Sequence, residues 1–242
     1  MKNKTRIALI GYGKMGQMIQ AMAEKQGLSV VTIDRSAKGA NFKVINKESL
    51  KGIDVAIDFS SPESLVPNLT QVVALGVPLV VGTTGWYQEL KKVEALVKKS
   101  KGHVVFGSNF SVGMNLFLKV LKESSHLISQ FDDYEVSGFE VHHSQKKDNP
   151  SGTAIKLASV IDSEYKKRVK KSKPVSFVGV RVGNEPGTHT VLFDSAVDTL
   201  EFTHRARSRS GFAQGALLAA AWIQKQKPGL YSFEEHFEEM SS

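Results

Sequence analysis

The stretch Arg6-Ile7-Ala8-Leu9-Ile10-Gly11-Tyr12-Gly13-Lys14-Met15-Gly16 decides the fold of this chain, because a glycine-rich turn joins a short apolar strand to a helix. In such a turn Gly11 permits the tight bend, Gly13 lets a pyrophosphate approach the backbone, and Gly16 lets the helix pack closely on the strand. The free N–H groups at the start of the helix then bind the phosphates. The stretch predicts a Rossmann dinucleotide-binding domain whose loop contacts the cofactor through Gly11, Tyr12, Gly13, Lys14, Met15 and Gly16.

Strand-like and helix-like runs alternate through the first half of the chain, the order typical of a parallel sheet with crossover helices. Glycines follow the helical runs, and Ser61-Pro62 is a typical helix start. The predicted helices run from Met15 to Gly27, from Pro62 to Gly76, and from Gly85 to Lys101 with Gly102 as its end; the predicted strands are Arg6–Ile10, Leu28–Ile33, Asp54–Phe59, Leu79–Val81 and Val104–Phe106.

The residues after the second strand bear on the choice of cofactor. Asp34 stands about 20 residues after the glycine loop, where an acid accepts hydrogen bonds from the adenosine ribose of NAD. Its neighbour Arg35 is placed to bind the 2′-phosphate of NADP, and Lys14 and Lys38 add positive charge. The sequence therefore supports the use of NADH, NADPH or both.

Two further turns follow predicted strands, at the sheet edge where open parallel sheets bind ligands. They read Gly82-Thr83-Thr84-Gly85 and Gly107-Ser108-Asn109-Phe110. Small and hydroxylated residues let a nicotinamide ring or its ribose lie against the backbone. The residues predicted to contact the cofactor here are Gly82, Thr83, Thr84, Gly107, Ser108, Asn109 and Phe110.

The pattern changes after Asn109 and predicts a second, α+β domain. An alanine-rich helix, Gly211 to Gln224, and a short helix starting at the capping box of Ser232 follow it. The predicted boundaries are 1–110, 111–210 and 211–242. The elements expected in the second domain are helices over Gly113–Gln130 and Ala154–Tyr165, and strands over Tyr134–Val141, Val175–Val182, Thr188–Phe193 and Thr199–His204.

Composition excludes several classes of protein. The 242 residues include no cysteine, which excludes disulfides, thiolate metal sites and a cysteine nucleophile, and is consistent with the reducing cytoplasm. No apolar run approaches the roughly 20 residues of a membrane-spanning helix. The formal net charge is +8, but the densest basic run, Tyr165–Lys173, has no interleaved aromatic residues. We interpret this run as a solvated helix end and expect no nucleic-acid partner.

The segment Glu140–Ala154, E-V-H-H-S-Q-K-K-D-N-P-S-G-T-A, carries the chemistry. Histidine changes charge near neutral pH, and a nearby lysine donates a proton or neutralises a carboxylate, so His142, His143 and Lys146 are candidate proton donors and anion ligands. Ser151 caps a helix whose first N–H groups face any anion placed before it. No third ligand at helical spacing supports a metal site.

Four motifs in this chain, E-V-H-H-S-Q-K-K-D-N-P-S-G-T-A, G-T-T-G, S-N-F-S-V-G and T-H-R-A-R-S-R, together resemble the dihydrodipicolinate reductase family. The resemblance extends from the glycine loop to the C-terminal helices. It implies NAD(P)H-dependent reduction of 4-hydroxy-tetrahydrodipicolinate, a cyclic dicarboxylate of the diaminopimelate route to lysine. It also implies that the C-terminal helices return to the Rossmann domain, that the sheet of the second domain assembles a homotetramer, and that no metal takes part.

Carried over by position, the resemblance implies that His142 and Lys146 handle protons and that His143, Gly152 and Thr153 bind the substrate. The proton-donating chemistry of His142 and Lys146 is consistent with this assignment, because hydride addition at C4 of the ring leaves negative charge that a nearby acid must neutralise. Lys146 is the preferred final donor with His142 assisting, although the sequence does not rank them. Ser144 and Ser61 stand where many relatives have arginine, which bears on substrate affinity and NADPH preference.

Two other functions compete with this interpretation. A different two-domain Rossmann reductase, acting on another carbonyl or imine, would share the glycine loop. A dinucleotide-sensing regulator would share the fold without the chemistry, but such a protein has no need of His142 and Lys146. An assay with the dicarboxylate substrate separates the three.

Overall fold

The computed structural model describes residues 4–165 and 174–240. The chain divides into two compact units: the residues up to Val112 together with those from Ser210 onward, and Gly113–Arg209. The helix end expected within the basic run after Tyr165 lies outside the described residues. Among those that are described, no helix is long and apolar enough to cross a membrane.

The elements follow one another along the chain as helices, strands and one 3₁₀ turn. They are β1 (Arg6–Ile10), α1 (Lys14–Lys25), β2 (Ser29–Ile33), β3 (Val55–Asp58), α2 (Pro62–Ala74), β4 (Leu79–Val81), the 3₁₀ turn Tyr87–Glu89, α3 (Leu90–Ser100), β5 (His103–Phe106), α4 (Val112–Ile128), β6 (Glu135–His142), α5 (Gly152–Tyr165), β7 (Phe177–Arg181), β8 (Thr188–Asp194), β9 (Thr199–Arg205), α6 (Ser210–Ile223), β10 (Gly229–Ser232) and α7 (Phe237–Met240).

The first unit contains a six-stranded, fully parallel sheet in the order β2-β1-β3-β4-β5-β10. The chain starts at β1, moves outward to β2 and then crosses back to β3 on the other side of β1. This reversal creates the crevice in which open α/β sheets bind ligands. The predicted Rossmann architecture is confirmed.

Helices cover both faces of this sheet. On one face α1 and α6 bury Ile19, Ala216 and Ile223 against the strands, and on the other α2 and α3 bury Leu69 and Val93. The alanines of α6 give it a nearly all-apolar surface, which accounts for its burial. The C-terminal segment thus belongs to the first unit, as the family resemblance implied.

Three predicted helix ends are wrong, and one strand was not predicted. Helix α3 begins at Leu90, after the 3₁₀ turn, rather than at Gly85. Between the two predicted C-terminal helices, Gly229–Ser232 forms the edge strand β10, paired in parallel with β5. The last helix consequently begins at Phe237 rather than Ser232, which is the last residue of that strand. Lys101, with φ 51°, takes the left-handed position after α3 that was assigned to Gly102.

The second unit contains a mixed four-stranded sheet in the order β7-β6-β8-β9. Strands β6 and β7 are parallel, because the chain crosses between them through α5. Strand β8 pairs antiparallel with β6 on one side and with β9 on the other. Helices α4 and α5 contribute Leu121 and Leu157 to a core that also includes Val191 and Phe193. Strand β6 ends at His142, so the fold places the chemistry segment at a strand end and the following helix start.

Candidate functional site

The glycine loop of the first unit has the geometry that the sequence predicted. Gly11 has φ +88°, a conformation favoured by glycine, and its N–H donates to the Ile33 carbonyl at 2.9 Å. A Cβ on Gly16 would lie 2.3 Å from the Gly11 oxygen, so only glycine allows this approach of α1 to the loop. Gly13 is exposed, and a Cβ there would meet no atom within 4 Å. The loop therefore leaves open space at Gly13 alone.

The carboxylate of Asp34 holds the end of β2 against the glycine loop. One of its oxygens accepts the Tyr12 N–H at 2.7 Å, and the other accepts the N–H groups of Ser36 at 2.9 Å and Ala37 at 2.8 Å. Burial alone would raise the pKa of Asp34, but these backbone hydrogen bonds outweigh it and lower the pKa to about 2. Asp34 is therefore ionised at neutral pH.

A cleft of about 650 Å³ lies beside the loop. Its lining combines two cations, Arg35 and Lys43, with two carboxylates, Asp34 and Glu63. Ser61 also lines it. Among the other predicted cofactor contacts, Tyr12, Met15 and Gly82 are half-buried, whereas Lys14, Arg35 and Thr84 are exposed.

Asp58, at the carboxyl end of β3, was missed by the sequence analysis. Its fully buried carboxylate accepts hydrogen bonds from the Ser60 hydroxyl at 2.7 Å, the Asn68 amide at 3.0 Å and the Thr83 hydroxyl at 2.7 Å. Burial raises the pKa of Asp58 despite these donors. The Thr83 side chain thus braces the turn, and Thr84 is the exposed threonine of the pair. The signal for Asp58 in the sequence was an acidic residue at the end of a predicted strand, followed closely by two serines.

The turn after β5 is held by a residue from the C-terminal segment. Glu234 accepts the N–H of Ser108 at 2.8 Å, the Ser108 hydroxyl at 2.6 Å and the N–H of Asn109 at 3.1 Å. Phe110 is buried, with its ring centroid 4.5 Å from that of Phe233. The Phe110 side chain is therefore part of the core, and the turn presents the backbone and Ser108 rather than this ring.

In the second unit, the two adjacent histidines differ in burial. His142 is the last residue of β6 and is buried, whereas His143 lies beyond the strand and is half-buried. Because side chains alternate along a strand, Glu140 shares the face of His142. The two histidines therefore have different environments.

Lys146 lies next to the start of α5. Its ammonium contacts both oxygens of Asp148, at 2.8 and 3.0 Å, and one of these oxygens accepts the Gly152 N–H at 3.4 Å. The hydrogen bond from Lys146 lowers the pKa of Asp148. Ser151 caps the helix through the Ala154 N–H, as predicted. The lysine and the helix N-terminus, whose first turn also contains Thr153, thus hold a carboxylate between them.

A buried cluster lies behind these residues. The carboxylate of Glu140 accepts the Ser151 N–H at 2.9 Å and the Arg181 guanidinium at 2.7 Å, and it also accepts the Ser151 hydroxyl. It lies 3.5 Å from Nδ1 of His142 and 3.3 Å from Nε2 of His189. Burial lowers the pKa of both histidines, that of His189 to about 4, although Glu140 opposes the effect. Arg181 and His189 lie outside the segment Glu140–Ala154, so its residue spacing could not reveal them as partners.

Glu140, His142 and His189 also bring three metal-ligand atoms within 4.8 Å of one another. The sequence lacked a third ligand at helical spacing, and the fold supplies one from β8. However, Ser151 and Arg181 already occupy the Glu140 oxygens, and the Arg181 charge would repel a cation. The arrangement suits a hydrogen-bond network better than a bound ion.

Comparison with known proteins agrees with the motifs. The family profile described as dihydrodipicolinate reductase, N-terminus, matches residues 5–110, and the C-terminus profile matches residues 113–237. The 4-hydroxy-tetrahydrodipicolinate reductase of Christiangramia forsetii is 36% identical over 95% of this chain and 96% of its own length. That of Staphylococcus carnosus is 36% identical over 95% of this chain and 98% of its own.

Solved structures show the same fold. The dipicolinate-bound dihydrodipicolinate reductase from Paenisporosarcina sp. TG-14 superposes with a TM-score of 0.79 at 22% identity, covering 96% of this chain and 99% of its own. A probable dehydrogenase from Thermotoga maritima superposes with a TM-score of 0.64 at 10% identity, covering 97% of this chain and 93% of its own. The family resemblance of the four motifs is confirmed by the profiles and the close relatives: this chain belongs to the dihydrodipicolinate reductase family.

Proposed function

We propose that this protein reduces 4-hydroxy-tetrahydrodipicolinate to tetrahydrodipicolinate with NADH or NADPH. The observation that carries the proposal is the carboxylate held between Lys146 and the N-terminus of α5. An internal side chain, Asp148, fills that position, and a substrate carboxylate has the same charge and the same acceptor atoms. The relatives named above as 4-hydroxy-tetrahydrodipicolinate reductases support the choice of substrate.

The second unit binds and orients the substrate. One ring carboxylate displaces Asp148 and accepts hydrogen bonds from the N–H groups of Gly152 and Thr153, with the Thr153 hydroxyl and His143 as further donors. A helix N-terminus favours an anion through its dipole as well as through its free N–H groups. Substrate binding thereby releases the Lys146 ammonium from its partner.

Proton transfer completes the reduction. The hydroxyl group of the substrate first leaves as water with a proton from the neighbouring ring carbon, which gives an unsaturated, imine-containing ring. Bound NADH or NADPH would supply the hydride to C4 of that ring, and the negative charge would move toward the ring nitrogen and C3. Lys146 donates the proton that neutralises this charge, and His142 assists. The products are tetrahydrodipicolinate, water and the oxidised nucleotide.

The decisive experiment supplies the purified protein with the aldol product of pyruvate and aspartate semialdehyde, together with NADH or NADPH. Loss of nicotinamide absorbance that depends on both substrates is the expected result. Absence of turnover with either nucleotide would overturn the proposal. Retained nucleotide binding in that case would favour a dinucleotide-sensing regulator instead.

We also propose that both nucleotides are used, and that Arg35 sets the contribution of NADPH. Arg35 is exposed at the cleft, where its guanidinium can pair with a 2′-phosphate that NADH lacks. Arg35→Ala is expected to lower kcat/KM for NADPH about tenfold, the loss of one charge-assisted hydrogen bond, and to leave the value for NADH nearly unchanged. Steady-state kinetics with each nucleotide measure this.

Lys47→Ala is the matched control for Arg35→Ala. Lys47 is an exposed cation of the same unit, but it lies outside the cleft lining. Its removal should leave the ratio of the two kcat/KM values unchanged. Equal losses for NADH and NADPH in Arg35→Ala would refute the proposed contact with the 2′-phosphate.

The protein is further proposed to be a homotetramer assembled through the sheet of the second unit. The sheet face opposite the helices exposes Phe139, Val178 and Val180, which have 38%, 66% and 47% of their surface accessible. Phe139 and Val178 are cross-strand neighbours, so these side chains form one apolar patch. Such a patch on a sheet face is typical of a protein–protein interface.

Val178→Lys is expected to shift the protein from tetramers to smaller species, because a charge would be buried in the interface. Light scattering after size exclusion measures the mass of each species. Val197→Lys serves as the control, since Val197 is 88% exposed in the turn between β8 and β9. A Val178→Lys protein with the wild-type mass would place the interface elsewhere.

A further inference from the structure

A single buried carboxylate joins the two halves of the proposed substrate site. Glu140 has no exposed surface, and its partners come from outside its own strand: Ser151 at the start of α5, Arg181 on β7 and His189 on β8. It also shares its strand face with His142. Glu140 therefore contacts both the histidine that handles protons and the residue that caps the anion-binding helix.

The His142 ring is confined at both of its nitrogen-bearing edges. Nδ1 lies 3.5 Å from the Glu140 carboxylate, a charge contact rather than a hydrogen bond, and this buried atom makes no hydrogen bond to any of the described residues. On the opposite edge, a Cβ placed on Gly187 would lie 3.0 Å from Nε2. The His189 ring packs edge-on, with its centroid 5.0 Å away. Rotation of the His142 ring would therefore require its neighbours to move.

The surrounding charges keep Glu140 ionised. Burial would raise the pKa of its carboxyl, but the hydrogen bonds from Ser151 and Arg181 outweigh burial and lower it. The groups that act on His142 come from every neighbouring element: Glu140 of β6, Lys146 and Asp148 of the following loop, Arg181 of β7 and His189 of β8. Of these, Glu140 and Asp148 favour the protonated imidazole, and Lys146, Arg181 and a charged His189 oppose it.

We infer that Glu140 is a positioning residue for the proposed reduction: it orients the Nδ1 edge of His142 and fixes the N-terminus of α5 through Ser151. The inference rests on the proposed function. A carboxylate behind a histidine fixes its tautomer and stabilises its imidazolium, so Nε2 remains free to act on a substrate. The same carboxylate aligns the helix start that binds the substrate carboxylate.

Glu140→Gln keeps the size of the side chain and removes its charge. We expect kcat/KM for the dicarboxylate to fall on the order of 100-fold, since both groups would shift from their reactive positions, while Kd for NADH stays unchanged. Because the loss of negative charge lowers the pKa of His142, the limb of the pH–activity profile that reports His142 should lie at lower pH than in the wild type. Kinetics across pH and nucleotide titration measure these effects.

Glu164→Gln is the matched control, because Glu164 is also a buried glutamate of the second unit but lies at the opposite end of α5 from Ser151 and contacts His126. It should leave the pH profile unchanged. An unshifted pH profile and an unchanged kcat/KM in Glu140→Gln would overturn the inference, whereas a wild-type protein without turnover would refute the proposed function itself.

A second measurement does not depend on the variant folding, which matters because Arg181 loses its anionic partner in Glu140→Gln. Nitrogen-15 spectra of the histidines in the wild-type protein, assigned by comparison with His142→Gln, report where the neutral imidazole carries its proton. We expect the proton on Nδ1, facing Glu140. A neutral His142 protonated on Nε2 would overturn the inference even if the variant cannot be purified.

Discussion

Replacement of Lys146 by methionine is expected to lower kcat by about 10²- to 10⁴-fold, the range for loss of a general acid, while Kd for NADH stays unchanged. Methionine keeps the length and the apolar stem of the lysine but cannot donate a proton. The substitution also removes the cation beside the start of α5, so KM for the dicarboxylate should rise. Steady-state kinetics and nucleotide titration measure the two effects separately.

Lys147→Met is the matched control, because Lys147 is an exposed lysine in the same loop. His142→Gln, measured in parallel, ranks the two proposed donors: the greater loss of kcat identifies the group that delivers the proton. If Lys146→Met and His142→Gln both retained wild-type turnover, the proposed chemistry would be wrong. A loss confined to KM in Lys146→Met would leave the lysine as a ligand for the carboxylate only.

The local features of this protein were predictable from its sequence because they depend on neighbouring residues. The bend at Gly11, the approach of Gly16 and the cap at Ser151 each follow from residue types within one turn. The strands β1 and β4 also match the prediction, because buried parallel strands appear as short, continuous apolar runs.

The edge strand β10 was not predictable in the same way. It has only four residues, and all four are half-buried, so it shows neither the alternation nor the apolar run that marks a strand. Its identity comes from pairing with β5, which lies far away in the sequence. Long-range pairing of this kind leaves no local pattern.

The cluster around Glu140 illustrates the same limit at the candidate site. His142 and Lys146 could be singled out because they lie within one segment. In contrast, Arg181 and His189 reach Glu140 only through the register of three strands, which pairs His142 with Arg181 and Glu140 with His189. The alternation along β6, which places Glu140 on the face of His142, was the only signal in the sequence.

Gly13→Val is expected to weaken binding of both NADH and NADPH by at least about 100-fold, since two or more hydrogen bonds to the pyrophosphate would be lost. The valine side chain would fill the open space through which a pyrophosphate approaches the backbone. The free protein should tolerate the change: Gly13 has φ −82° and ψ −160°, which any residue adopts, and a Cβ there meets no atom. Its unfolding free energy should therefore change by no more than about 0.5 kcal/mol.

Gly16→Ala provides the contrast that separates binding from folding. Its Cβ would lie 2.3 Å from the Gly11 oxygen, so α1 must shift, at a cost of about 1–3 kcal/mol in stability. Isothermal titration with each nucleotide and denaturant unfolding distinguish the two variants, because Gly13→Val should lose affinity alone whereas Gly16→Ala should lose both. Full nucleotide affinity in a folded Gly13→Val protein would mean that the pyrophosphate does not bind at this loop.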